Sequence, residues 1–162
     1  DASADVILCS EVFEHIPYPL EALEEISRLL KPGGKLIFTC PLGSGQHQVP
    51  YHFYGGFTRF WYEKFFPEQG LKIISLEPNG GLFKHIVEML WRAQPYIIND
   101  KNRGLQRWWG RLLQVLMFNL PTLVLVGYED KKIVEDFTTC FFCIAEKQKP
   151  VLVKNSNDED IT

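Results

Sequence analysis

The sequence has no surplus of positive charge. Seventeen Lys and Arg stand against twenty Asp and Glu, a formal net charge of -3. Binding to nucleic acid through a generally basic surface is therefore excluded as an expectation. It also lacks a disulfide framework. Its four cysteines, Cys9, Cys40, Cys140 and Cys143, all sit in apolar runs, whereas stapled secreted domains are short and loop-rich. They read as reduced, buried thiols of a cytoplasmic protein. Cys140-Phe-Phe-Cys143 has the outline of a metal or redox pair, but residues three apart in a strand face opposite sides. Internal repeats are missing, and so is any apolar run of the roughly 20 residues that a spanning helix needs. The chain opens on Asp1 and enters a strand pattern at once, as expected of a piece of something longer. What is present is ample apolar material, 46% of 162 residues with 14% aromatic, enough for a single core.

Periodicity orders the first half. Residues 5–10 form a short apolar run of the buried-strand type. Ala22, Leu23, Ile26, Leu29 and Leu30 make one helical stripe, with Glu21, Glu24, Glu25 and Arg28 on the wet side. Pro17 and Pro19 mark the helix entry, and Lys31-Pro32-Gly33-Gly34 reads as its stop. Residues 35–40 form the next strand, so strand, helix and strand make a βαβ unit with a parallel crossover. A long loop over 41–57, rich in Gly, His and Tyr, is of the length often reserved for function. A helix over about 59–66 follows, with Thr58 as N-cap and Phe60, Trp61 and Phe65 as its core stripe. Residues 71–76 alternate like a strand, and Pro78-Asn79-Gly80-Gly81 is a turn. Helical pattern then runs over about 82–116, broken near Pro95 and Asn102-Arg103-Gly104. Residues 137–145 read as the last strand. The domain is placed at 1–147, with a helical hairpin insertion over about 82–127 and a disordered tail over 148–162.

Charge is uneven along this order. The first thirty residues carry seven acids and one Arg, Arg28. Residues 84–111 carry six bases (Lys84, Arg92, Lys101, Arg103, Arg107, Arg111) against Glu88 and Asp100, interleaved with Trp91, Trp108 and Trp109. Residues 112–126 are apolar apart from Gln114, Asn119, Pro121 and Thr122. Two readings fit: a helical cap on the domain core, or an interfacial hairpin over 105–127 making peripheral membrane contact.

Three stretches stand in order: Asp5-Val6-Ile7-Leu8-Cys9-Ser10-Glu11-Val12-Phe13-Glu14-His15-Ile16, the helix closing in Leu30-Lys31-Pro32-Gly33-Gly34-Lys35-Leu36, and Thr39-Cys40-Pro41. Together they resemble the C-terminal half of a class I S-adenosylmethionine-dependent methyltransferase of the small-molecule type. The resemblance covers about residues 1–90 and the last strand. It implies an α/β fold: a Rossmann-like seven-stranded mixed sheet with an antiparallel last strand, of which this chain supplies strands four to seven. The glycine-rich cofactor turn of that fold is not here; no D/E-x-G-x-G occurs in the sequence. Gly43-Ser44-Gly45 follows the wrong strand and opens no helix. The chain alone is thus expected to bind cofactor poorly and to expose one side of its first strand.

Ligands of doubly wound sheets sit beyond the carboxyl ends of the strands, where Ser10, Glu11, Glu14 and His15 fall. Glu11, Glu14 and His15, at i, i+3 and i+4, share one face of a helical turn, a spacing that lets two carboxylates and an imidazole hold one divalent cation. The resemblance implies cofactor-binding roles for Cys9, Ser10 and Glu11 toward S-adenosyl-L-methionine. It also implies catalytic roles for His15 and His52, and a metal set of Glu11, Glu14, His15 and His52, with His47 as the lesser alternative. Mg²⁺ or Mn²⁺ suits such ligands. The pattern Glu-x-x-Glu-His is similar to that of metal-dependent O-methyltransferases. The other reading of these residues has Glu14 pairing locally and His15 packing, or acting as a base without a cation. Tyr51, His52, Phe53, Tyr54 and Phe57 suggest an aromatic pocket for an apolar acceptor. The expected function is methyl transfer to a small-molecule, lipid-like acceptor, by O-methylation. The alternative is a non-catalytic module that binds a membrane or protein partner.

Overall fold

The structure, a computed structural model, describes residues 1–97, 105–128, 134 and 137–149. Four strands form one mixed sheet: β1 (Ala4–Ser10), β2 (Leu30–Pro41), β3 (Leu71–Asn79) and β4 (Cys140–Lys147). Their spatial order is β1-β2-β4-β3. β1 and β2 are parallel, joined through helix α1 (Pro19–Leu29) as a βαβ unit; β4 runs antiparallel to both β2 and β3. Helix α2 (Arg59–Glu68) connects β2 to β3. Between β3 and β4 lie α3 (Leu82–Ile97), α4 (Leu105–Gln114), a π-helical turn (Val115–Asn119), α5 (Leu120–Leu125) and a 3-10 turn (Val126–Tyr128). The expected break at Asn102-Arg103-Gly104 and the tail from 150 onward lie outside the described residues.

The core lies on one face of the sheet. Leu36, Phe38 and Cys40 of β2 alternate inward with Phe141, Cys143 and Ala145 of β4, all buried. Leu23 of α1 and Tyr62 and Phe66 of α2 pack onto them. Phe38 is the hub, with ring contacts to Phe13, Trp61, Tyr62 and Phe66 at 4.7–6.4 Å. Each such burial contributes about 1.5–3 kcal/mol. Phe60, expected in the core stripe, is 76% exposed, while Trp61 and Phe65 are partly buried against the core. The i, i+4 pair Tyr62 and Phe66 sets the inward face of α2, and Phe60 falls behind it.

β2 begins earlier than the periodicity suggests. Leu30 leaves the helix in extended conformation and pairs with Ala4. Gly33 and Gly34 therefore lie inside the strand, where the β1–β2 register shifts, and do more than stop a helix. Gly34 is there because of crowding: a Cβ would lie 2.9 Å from the Lys31 carbonyl oxygen and 3.1 Å from that of Ala4.

Among the described residues the second face of the sheet is only partly covered. Leu8 pairs with Ile37, and Ile37 with Ile144, on the side opposite the core. Val6 and Leu8 are 57% and 70% exposed there.

Candidate functional site

The site is built where β1 and β2 end. After Ser10 the chain turns sharply at Glu11, whose φ of +53° is rare for a residue other than glycine or asparagine. The Glu11 amide donates to the Thr39 carbonyl at 3.0 Å, and the Ser10 and Thr39 hydroxyls lie 2.8 Å apart. A 3-10 turn, Phe13–His15, follows. Phe13 is fully buried edge-on against Phe38 at 4.7 Å, which fixes the turn to the sheet. Glu14 and His15 are thereby held at the strand ends.

The loop over 41–57 closes onto this turn. The backbone carbonyl of Glu14 accepts from the amides of Phe53 (2.9 Å) and Tyr54 (3.1 Å), and the Tyr54 hydroxyl donates to the Pro17 carbonyl (3.0 Å). His15 Nδ1 is 2.5 Å from the Tyr51 carbonyl oxygen, which can only accept. Nδ1 must carry a proton, and Nε2 faces the Glu14 carboxylate at 3.7 Å. His47 is arranged alike, its Nδ1 donating to the Gly45 carbonyl at 3.0 Å. One ligand atom each of Glu14, His15 and His47 lie within 4.8 Å of one another. Glu14 is 1% exposed, and its other oxygen accepts from the Cys40 thiol at 3.4 Å. Lone pairs of a buried carboxylate and two imidazoles thus converge, and such a group is satisfied by a proton or a cation between its members.

The other predicted site residues are placed differently. The His52 ring lies beside that of His47, tilted, at 4.6 Å, but its Nε2 is 3.0 Å from the Ser44 hydroxyl, which itself donates to the Gly55 carbonyl. Burial and the neighbouring His47 and His15 lower the His52 pKa and favour the neutral ring. Glu11 lines the same cleft as Glu14 without joining the three-residue group. Burial raises its pKa, opposed by a hydrogen bond from Thr39 and assisted by Glu14 and Glu88. Ser10 lies at the exposed rim. Cys9 points into the covered face, where burial and Glu14 push its thiol pKa up to about 11.

The cleft measures about 220 Å³, and Glu11, Glu14, His15, His47, Glu88 and Arg92 line it. Glu88 and Arg92 come from α3 and pair with each other at 2.7 Å. Neither is among the site residues expected from the sequence, where the charge after residue 84 points only to a helical cap or an interfacial hairpin. On the other side of the 3-10 turn is an apolar groove of about 550 Å³ walled by Pro17, Tyr18, Leu20, Tyr54, Phe57 and Trp61. The aromatic cluster is thus divided: Tyr54 and Phe57 line this groove, whereas Tyr51, 67% exposed, lines neither cavity.

Residues 1–38 match the family model described as a methyltransferase domain. A ubiquinone biosynthesis O-methyltransferase of Vibrio cholerae is 43% identical over 35 residues, which are 22% of this chain and 14% of that protein. A protein of the same name from Coxiella burnetii is 46% identical over 35 residues, 22% of this chain and 15% of its own. The matched stretch is therefore about a seventh of these relatives. A solved structure from Galdieria sulphuraria, assigned as a sarcosine dimethylglycine methyltransferase, is similar in fold with a TM-score of 0.52 and 16% identity. That similarity covers 91% of this chain and 54% of that one.

Proposed function

We propose, from the premise that this chain belongs to the class I S-adenosylmethionine-dependent methyltransferase fold, that it serves methyl transfer to a hydroxyl of a small-molecule acceptor. The observation that carries this reading is the convergence of Glu14, His15 and His47 in a cleft at the carboxyl ends of β1 and β2. The stretch that matches the methyltransferase family model, residues 1–38, includes two of the three.

S-adenosylmethionine supplies an electrophilic methyl group on a sulfonium. The residues present fit one end of that cofactor: Ser10 and Glu11, at the exposed end of β1, form a polar wall for its amino-acid part. Among the described residues no strand opens through a glycine-rich turn into a helix, so none is assigned to its adenosine. An acceptor hydroxyl in the cleft meets His15 Nε2 and the Glu14 carboxylate. His15 takes up the hydroxyl proton, its tautomer fixed by the Tyr51 carbonyl, and Glu14 stabilises the imidazolium that results. Most of the remaining rate comes from holding acceptor and donor in line.

The same three side chains would alternatively hold a divalent cation; His15 Nε2 would then be a ligand rather than the base, and the cation would supply the acidification of the acceptor hydroxyl. Two imidazoles with one carboxylate favour Mn²⁺ over Mg²⁺. Each imidazole has its second nitrogen engaged by a carbonyl, as metal-bound histidines do.

The test is transfer of labelled methyl from S-adenosylmethionine to a panel of phenols, catechols and primary amines by the longest natural form of the protein. Glu14→Gln and His15→Ala should each lower turnover by about 10²-fold or more. Turnover unchanged in both, or amines methylated in place of hydroxyls, overturns the reading. The cation is tested apart from activity: Mn²⁺ should raise the melting temperature of the native protein and not of Glu14→Gln or His47→Ala.

A further inference from the structure

We propose that α4, the π-helical turn and α5 form a docking surface for an anionic lipid membrane, lying in the plane of its headgroups. The surface is apolar where it faces water. Trp108, Leu112, Leu116, Leu120 and Leu123 recur at helical spacing through the segment, and all are exposed, Trp108 by 76% and Leu123 by 78%. Trp109, Val115 and Val124 widen the stripe. The segment does not need this face for its own packing. Phe118, fully buried, points the other way, and α5 and the π-helical turn both pack against α3.

Charge selects a lipid as the occupant. Residues 101–128 contain Lys101, Arg103, Arg107 and Arg111 and not one acid. Arg107 and Arg111 stand one turn apart in the sequence of α4. A wide exposed Leu, Val and Trp face in a segment whose charged residues are all basic is the composition of helices that settle at the bilayer interface, where bases gain from anionic headgroups. Tryptophan is favoured at that depth. No helix of the described residues is long and apolar enough to cross a membrane. The surface adjoins the cleft through α3, which supplies Glu88 and Arg92 to it.

The test uses the full chain and vesicles of phosphatidylcholine, with and without phosphatidylglycerol, sedimented at low salt. Binding to the mixed vesicles is expected, at least about tenfold tighter than to phosphatidylcholine alone and weakened by added salt. Arg107→Glu with Arg111→Glu should lower it by about tenfold or more. Trp108→Ser with Trp109→Ser should lower it on both vesicle types. In the unaltered protein, brominated acyl chains should quench tryptophan fluorescence, a readout that needs no variant to fold. The proposal is overturned by absence of binding at low salt, by binding that both double variants retain, or by a lack of quenching. Self-association of the protein that the tryptophan variant abolishes, with no vesicle binding, would give the surface to a second copy instead.

Discussion

At the scale of single residues, two buried polar groups contrast. Tyr62 is fully buried in the aromatic core, and its hydroxyl has no hydrogen-bond partner among the described residues. Burial pushes its pKa far up, so the group is a neutral, desolvated hydroxyl. Such an atom forfeits its hydration without return. Tyr62→Phe should therefore leave the fold intact and raise unfolding free energy by up to about 1 kcal/mol, read from urea denaturation. A loss of stability would reveal a partner for the hydroxyl, such as a buried water. Glu14 is buried to the same degree, yet its carboxylate faces His15 and Cys40 and its carbonyl holds the 41–57 loop. The core tolerates the idle Tyr62 hydroxyl, while the rim engages both the carboxylate and the backbone carbonyl of its buried glutamate.

At the scale of elements, the 41–57 loop decides whether the site exists. Its return leg passes so close to the end of β2 that a Cβ on Gly56 would lie 2.1 Å from the Pro41 carbonyl oxygen, and φ there is +145°. The next amide, of Phe57, donates to that same oxygen at 2.8 Å. Gly56→Ala should cost about 3 kcal/mol or more. It should also weaken Mn²⁺-induced stabilisation, since the loop carries His47; thermal denaturation with and without Mn²⁺ reads both. This element also marks the limit of what the sequence discloses. β1, α1 and β2 were legible because alternation and the helical stripe are local signals. The choice between His47 and His52 was not, because both lie in one short loop. Only the closure of that loop through Glu14, Tyr51 and Gly55 turns His47 toward His15 and His52 toward Ser44. Glu88 and Arg92 were hidden for the same reason: they reach the cleft from an element some seventy residues away. The inward register of α2 at Phe60 is not legible in the sequence, because the run Phe60-Trp61-Tyr62 followed by the pair Phe65-Phe66 gives no unique stripe.

At the scale of the whole molecule, the sheet is half dressed. Both helices of its parallel half lie on one side, and the other presents Val6, Leu8, Ile37, Phe142 and Ile144 around paired Lys35, Glu146 and Lys72. Parallel strands are ordinarily buried on both faces. β1 has a neighbour on one edge only among the described residues, so its other edge offers unpaired backbone groups beside an apolar face. The 162-residue chain on its own should therefore bind hydrophobic dye and self-associate with rising concentration. Val6→Thr with Leu8→Thr keeps β propensity and removes apolar surface, so it should reduce both effects in this chain. In a longer form of the protein in which this face is covered, the same pair should instead destabilise, by about 1–3 kcal/mol for buried hydroxyls without partners. Sedimentation of the two forms, with and without the paired substitution, separates a bare sheet from a covered one. A chain that stays monomeric and dye-free with Val6 and Leu8 in place would show that the face is already closed by residues outside the described part of this chain.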